Sequence, residues 1–399
     1  MKLHSPKLFL EINDSEYIFS VGDEDQKNNF KVNYKYSASI EGITKNCKVT
    51  DFEKTLNTIK KNIITIEQKF NFTFKEIILI LDNSDCTFLN LTGFKKLNGS
   101  QILKENIIYI LNTLKSYVDK IESKKTVLHI FNSKFKLDNE KIENLPIGLF
   151  GDFYSHEISL ILMDTNDYKN LCNIFDQCNL KVKKIFLKSF IKGANISNKN
   201  KDLDTFFYIK LSNKNSKIFF FENNSLKIEQ DFKFNTDIIL QDICKITSLK
   251  KETVELILSK IHFTNHLQDD EILDKDLFQN DNFRKIKKKL IYEIALARIL
   301  EISEIMLSRN INFKNYAQST KNIVLELDCK LQFYSLGEIY KTVFSNHGKL
   351  DLKFLEDMSN EDVINTSNQI VHYGWKTEAI PVTQNKKSMI ARFFDTIFN

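Results

Sequence analysis

Short apolar runs separated by polar breaks open the chain. Lys7 to Ile12, Tyr17 to Val21 and Phe30 to Ser37 each carry a strand pattern, and together they predict an antiparallel meander. Asp51 then stands where a helix N-cap is expected. Behind it Phe52, Leu56, Ile59, Ile63 and Ile66 recur at steps of three and four. The all-apolar run Ile77 to Leu81 follows, short enough for a buried central strand. A meander, a helix and a buried strand suit an α/β layer.

From Ser84 to Met163 the pattern starts afresh, with a helix predicted over Ser100 to Ile121, a strand over Val127 to Phe131 and a turn over Leu145 to Gly151. A helix near Tyr168 to Cys178 and a strand Lys183 to Leu187 return to the first style. The polar stretch Gly193 to Asp204 then reads as a break between lobes. Beyond it, strands Thr205 to Leu211, Lys217 to Glu222 and Leu226 to Phe234 repeat the opening meander. Helices are expected through most of Asp237 to Ser308, with a polar loop at Asn265 to Asp281. A buried strand at Ile323 to Leu325 and a helix Leu336 to Phe344 complete the second half. Two meander-plus-helix halves predict an internal duplication at the level of fold.

Composition narrows the chemistry. Only 10 of 399 residues are glycine, so few positions let a backbone close in on a phosphate. The net charge of +5 suggests a polyanion partner at first sight. However, of the 57 basic residues only Arg284, Arg298, Arg309 and Arg392 are arginine, the side chain that phosphate and base-edge forks favour. Nucleic acid is therefore not an expected partner. Six cysteines without a C-x-x-C pair and no secretory apolar segment after Met1 point to a reducing interior. No apolar run is long enough to span a bilayer.

Conventional sites are sparse. His262 and His266 stand four apart, near Asp269 and Asp270, but the ligand set is incomplete and no metal is expected. Cys172 and Cys178 read as small apolar residues of a helix. No nucleophile elbow or glycine-rich phosphate loop occurs. The end of the chain does carry a signal. At helical spacing Met389, Ile390, Phe393, Phe394, Ile397 and Phe398 share one face, while Lys386, Lys387 and Arg392 add positive charge. Thr377 to Asn385 ahead of it has a tether's composition. A tethered amphipathic helix suits interfacial membrane binding; the same pattern also fits docking on the chain's own core or on a partner.

Taken in order, several segments resemble the bacterial cell-division actin homologue FtsA. Its P-[IV]-G-[LM]-x-G turn is matched by Pro146-Ile147-Gly148-Leu149-Phe150-Gly151. The preceding V-L-H-[VI] strand is matched by Val127-Leu128-His129-Ile130, and C-x-L-x-V by Cys178-Asn179-Leu180-Lys181-Val182. His372-Tyr373-Gly374 precedes the tether, as in that family.

The resemblance implies an α/β, actin-like two-lobed fold, a duplicated ribonuclease-H-like design with an FtsA-type inserted subdomain and a C-terminal amphipathic helix. It divides the chain into a first-lobe subdomain (1–83 and 164–195, completed by 356–375), an insert (84–163), a second-lobe subdomain (204–244 and 319–355), a helical subdomain (245–318), a tether (376–385) and the terminal helix (386–399). It implies a peripheral protein on the cytoplasmic face of the inner membrane at the division site. Its partners would be the FtsZ C-terminal peptide, membrane lipids, later division proteins and further copies of itself. The FtsZ tail would dock on the helical subdomain, where a basic helix around Phe283 to Lys289 presents Arg284, Lys285 and Lys288. On charge alone that run also reads as a solvated lysine face.

The departures concern nucleotide. The family's first phosphate loop is replaced by Glu11-Ile12-Asn13-Asp14, and its D-I-G-G-G-T-x-D loop by Lys210-Leu211-Ser212-Asn213-Lys214-Asn215-Ser216-Lys217. Its adenosine-side T-G-G is replaced by Glu326-Leu327-Asp328, and Thr236 stands where a glycine precedes Asp237. Side chains thus fill turns whose bare amides should cradle oxygens, and Lys210 cannot help to hold Mg²⁺. The expectation is an adaptor without cofactor and without hydrolysis, a pseudo-ATPase. The alternatives are loose nucleotide binding, with Lys210, Lys214 and Lys217 meeting phosphate as point charges, an active ATPase using ATP with Mg²⁺, or a PilM-like scaffold of pilus assembly.

Overall fold

The computed structural model describes residues 6–24, 30–44, 46–213, 215–264, 268, 270–328, 330–347, 350–355 and 358–377. Two compact units divide it. The first holds residues up to Asp204, Asn223–Lys227 and the chain from Met358; the second holds Thr205–Glu222 and Ile228–Asp357.

In the first unit, β1 (Lys7–Ile12), β2 (Glu16–Glu24) and β3 (Phe30–Ser39) form the expected antiparallel meander. α1 (Phe52–Phe70) starts as its sequence dictates: Asp51 accepts a hydrogen bond from the Lys54 amide at 3.0 Å. Its buried face carries Leu56, Ile59, Ile63 and Ile66. Gly42, at φ 71°, lets the chain turn here, because a Cβ would stand 2.5 Å from the Asp51 carbonyl. α1 delivers the chain to β4 (Glu76–Leu81), which lies parallel to β1 with five consecutive buried residues.

The insert comprises β5 (Cys86–Lys96), α2 (Lys104–Ile121), β6 (Lys125–Leu137), β7 (Glu140–Ile142) and β8 (Phe153–Asp164), its sheet ordered β5-β8-β6-β7. Ile107, Ile110, Leu111, Leu114 and Val118 of α2 close over Ile130, Tyr154, Ile158 and Leu160 of that sheet. α3 (Thr165–Asp176) and β9 (Lys181–Leu187) return to the main sheet, ordered β3-β2-β1-β4-β9.

The break predicted over Gly193 to Asp204 is corrected in its first part, up to Lys199. α4 (Lys188–Lys199) runs through it, with Phe190, Ile191, Ala194 and Ile196 buried. The unit boundary falls only after Asp204. Asn195 and Ser197 made this helix look like a loop; both are buried, and Asn195 donates to the Thr366 hydroxyl at 2.8 Å.

The second unit repeats the plan with β10 (Phe206–Leu211), β11 (Ser216–Glu222) and β12 (Ser225–Phe232). Helices α5 (Asp237–Thr247), α6 (Lys251–Lys260), α7 (Lys288–Ser303) and α8 (Ile311–Tyr316) follow, with a π-helical turn, Glu304–Ser308, extending α7. β13 (Asn322–Leu327), α9 (Lys330–Asn346) and β14 (Asp351–Phe354) complete a sheet ordered β12-β11-β10-β13-β14. Strand by strand this is the order of the first sheet. α10 (Asn360–Tyr373) then rejoins the first unit, started by a Ser359–Asp362 capping box and ended at Gly374, φ 75°.

Candidate functional site

The β1–β2 turn is where the fold would present amides to a phosphate, and here those amides are taken. Asn13 Oδ1 accepts from the Ser15 and Glu16 amides, each at 2.8 Å, and from the Ser15 hydroxyl at 3.1 Å. This Asx turn places a side-chain oxygen on the very N–H groups an anion would need. Asp14 is engaged as well, accepting from Asn83 Nδ2 at 2.7 Å. Glu11, 1% exposed, receives Lys188 Nζ on Oε1 at 2.6 Å and Asn360 Nδ2 on Oε2 at 2.8 Å. Lys188 also stands 3.7 Å from Asp82. Both oxygens of the buried carboxylate therefore have protein partners, and its charge is matched by an ammonium.

In the second unit the β10–β11 turn closes on itself in the same way. The Ser212 hydroxyl donates to the Asn215 carbonyl at 2.8 Å and accepts the Asn215 amide at 3.3 Å. Asn213 is exposed, and Lys214 lies outside the described residues. Lys217 is buried between Glu229 at 2.6 Å and Asp231 at 3.0 Å. Burial works to lower its pKa, but the two carboxylates outweigh it and hold the ammonium above its usual range. Lys210 stands beside Glu326 in the β10–β13 register. Glu326 in turn accepts the Tyr208 hydroxyl.

Thr236 is 1% exposed at the start of α5, and its carbonyl accepts from Gln332 Nε2 at 2.8 Å. Leu327 is buried, whereas Asp328 is exposed and its amide is bound to the Leu211 carbonyl at 2.9 Å. The residues in both turns do not fit a phosphate cradle. One unit supplies a carboxamide oxygen where the ligand oxygens belong, and the other has a side-chain hydroxyl on the amide and a lysine at each flank.

The basic segment is also corrected. Arg284, Lys285 and Lys287 precede α7, which begins at Lys288, so no basic helix spans Phe283 to Lys289. An isolated bridge between Ile272 and Lys287 holds the stretch extended. Arg284 donates to the Ser248 carbonyl at 2.7 Å, Lys285 is exposed, and Lys288 pairs with Glu271 at 3.2 Å. Two of the three proposed peptide-binding cations are thus already engaged.

His262 lies beyond the last turn of α6, its Nδ1 2.6 Å from the Tyr334 carbonyl, which removes the helix-face reading; His266 and Asp269 lie outside the described residues. Among the described residues no cluster of metal-ligating side chains occurs. Cys172 is on α3, Cys178 just beyond it, and burial raises both thiol pKa values.

The predicted membrane-binding residues Lys386, Lys387, Met389, Ile390, Arg392, Phe393, Phe394, Ile397 and Phe398 lie outside the described residues. The start of the predicted tether does not. Trp375 is 7% exposed and donates its indole N–H to the Asn224 carbonyl at 2.7 Å. The Thr377 carbonyl accepts the Asn132 amide at 2.7 Å. Lys376 and Thr377 therefore belong to the folded body. No helix among the described residues is long and apolar enough to cross a membrane.

No protein-family model matches the chain. It is 21% identical over 404 residues to the cell division protein FtsA of Buchnera aphidicola subsp. Schizaphis graminum, across 98% of this chain and 96% of that protein. With the FtsA of Escherichia coli K12 it shares 20% over 148 residues, 37% of this chain and 35% of the other. Among solved structures, the PilM-PilN type IV pilus biogenesis complex matches with a TM-score of 0.50 at 9% identity, over 88% of each chain. The two sheets of one strand order and this likeness define an actin-like fold. Within that class the chain is a divergent FtsA-like protein.

Proposed function

We propose that this protein is an FtsA-like cell-division protein acting as an adaptor rather than as an ATPase. Full-length similarity to a cell division protein supports the division role. The observation that carries the adaptor reading is the closed β1–β2 turn, in which Asn13 Oδ1 occupies the two amides a phosphate would take. Displacing that oxygen means breaking an intramolecular contact before any anion can bind, so nucleotide affinity is weak or absent and no hydrolytic step is assigned. The terminal segment, Lys386 to Phe398, supplies attachment to the cytoplasmic face of the membrane. Fully burying one large side chain contributes roughly 1.5–3 kcal/mol; insertion is partial and ordering opposes it. A single anchor is reversible, and many anchors on one self-associated filament hold firmly. FtsZ, through its C-terminal peptide, is the tethered partner, with exposed Lys285 the cation free to meet an acidic residue first.

Co-sedimentation with anionic liposomes, with and without an FtsZ C-terminal peptide, tests this reading. Phe393→Asp combined with Phe394→Asp puts two charges on the apolar face and should abolish sedimentation with lipid while circular dichroism stays unchanged. Calorimetric titration with ATP and Mg²⁺ should give no saturable heat. Micromolar affinity with turnover would instead establish an active ATPase. No sedimentation with lipid by the natural chain, and no change on deleting residues 389–399, would favour a scaffold that docks on a membrane protein.

A further inference from the structure

The insert sheet ends on β5, an 11-residue strand paired along its whole length with β8, from Cys86↔Met163 to Lys96↔Phe153, without a bulge. Among the described residues no strand lies on its other side. A long, regular edge with an open row of backbone N–H and C=O groups is a template for another strand. The usual safeguards are missing here: β5 has no proline, and its only charges, Lys95 and Lys96, sit at one end.

The surroundings of this edge are apolar and exposed. Phe94 is 65% exposed and its ring stacks on Phe153 with centroids 5.7 Å apart. On the opposite face α2 lies close over the strand, since a Cβ on Gly93 would stand 2.3 Å from Ile110 Cγ2. Lys95 Nζ sits 4.4 Å from the centre of the Tyr109 ring, which places that tyrosine over the end of β5. Tyr109 and Tyr117 are 55% and 52% exposed and border a groove of about 450 Å³ with Thr113 and Ser116.

We propose that β5 pairs antiparallel with β5 of a second copy of this chain about a two-fold axis at Leu91, giving one continuous eight-stranded sheet. The sequence of the strand selects this occupant and register. With Leu91 opposite itself, Asn90 faces Thr92, Leu89 faces Gly93, Phe88 faces Phe94, Thr87 faces Lys95 and Cys86 faces Lys96. The aromatic pair occurs twice, and no lysine opposes a lysine. A parallel in-register pairing would put Lys95 and Lys96 directly on their own copies, which is unfavourable. The two-fold also brings the two α2 helices to the same face of the joined sheet, where the Tyr109 and Tyr117 stripes can cover each other. The contact is isologous and closes at two copies. It is independent of lipid, of FtsZ and of any head-to-tail filament, and it links two chains side by side.

The test uses the full chain, in its natural form and with Phe393→Asp plus Phe394→Asp to remove association through the tail. Sedimentation velocity over a micromolar concentration series should show a monomer–dimer equilibrium in both. Hydrogen exchange should slow at alternate amides of Thr87 to Lys95 in the dimer. Phe94→Lys loses both aromatic pairs, and Thr92→Lys sets two ammonium groups diagonally across the axis. Both positions are solvent-exposed, so the fold should survive, and each should weaken dimerisation about tenfold or more. A monomer at every concentration, a dimer indifferent to both substitutions, or β5 amides that exchange equally fast in monomer and dimer would each overturn the proposal.

Discussion

Acid should loosen this protein through one buried imidazole. His156, on β8, is fully buried, with Nε2 2.9 Å from Asn132 Oδ1 and the ring centre 4.7 Å from that of Phe135. Burial disfavours the charged ring and pushes its pKa down to about 3, against 6.5 for an ordinary histidine. The folded state therefore refuses a proton that the unfolded chain accepts, so the stabilisation is complete above pH 6.5 and is lost as pH falls towards 3. Between those values the loss approaches ~1.4 kcal/mol per pH unit, which gives about 2 kcal/mol at pH 5. The experiment compares urea unfolding of the natural chain and His156→Phe at pH 7.5 and pH 5. Trp375, the sole tryptophan, is buried in the same unit, with its ring centre 6.1 Å from that of Phe190, and reports the transition. Other titrating groups are common to both chains and cancel in the difference. The natural chain should lose about 2 kcal/mol more than the variant on acidification; an equal loss in both would mean the ring is protonated at no cost, and the reasoning fails.

Removing the ammonium that faces buried Glu11 should be expensive. Lys188→Met is expected to cost about 3 kcal/mol in chemical denaturation, and Glu11→Gln in the same chain should recover most of it, because an unpaired buried charge is the source. Asn13→Ala frees the Ser15 and Glu16 amides and should cost about 1 kcal/mol; any ATP-dependent rise in melting temperature should be larger in this variant than in the natural chain. Asp51→Ala deletes the α1 cap and should lower stability by about 1 kcal/mol, measured by thermal unfolding. Leu111→Ala opens a cavity in the insert core and should cost roughly 2–5 kcal/mol.

Legibility in the sequence followed how local each signal was. α1 was readable because its cap residue and its three-and-four spacing are both local, and β4 because five apolar residues in a row have few other uses. α4 was not, since Asn195 and Ser197 look like loop residues until their buried positions are known. The supposed basic helix failed for the converse reason: lysines have good helix propensity, but the Ile272–Lys287 bridge, a tertiary contact, keeps the stretch extended. β14 and α10 went unread, although the Ser359–Asp362 capping box was a usable start signal. In the phosphate turns the missing glycines were evident from composition. The closure of the first by Asn13 was not, yet Asn at the first corner of a tight hairpin is a known Asx-turn signature and would have found it.

Trp375 and Thr377 are fastened onto the first unit, so the folded body holds the chain as far as Thr377. Only Glu378 to Asn385 then separate the folded body from the amphipathic segment, and eight residues drawn taut reach about 28 Å. Were the terminal segment to bind lipid as proposed, the body would ride within roughly its own diameter of the headgroups, and whatever it grips would be kept in a thin layer against the bilayer.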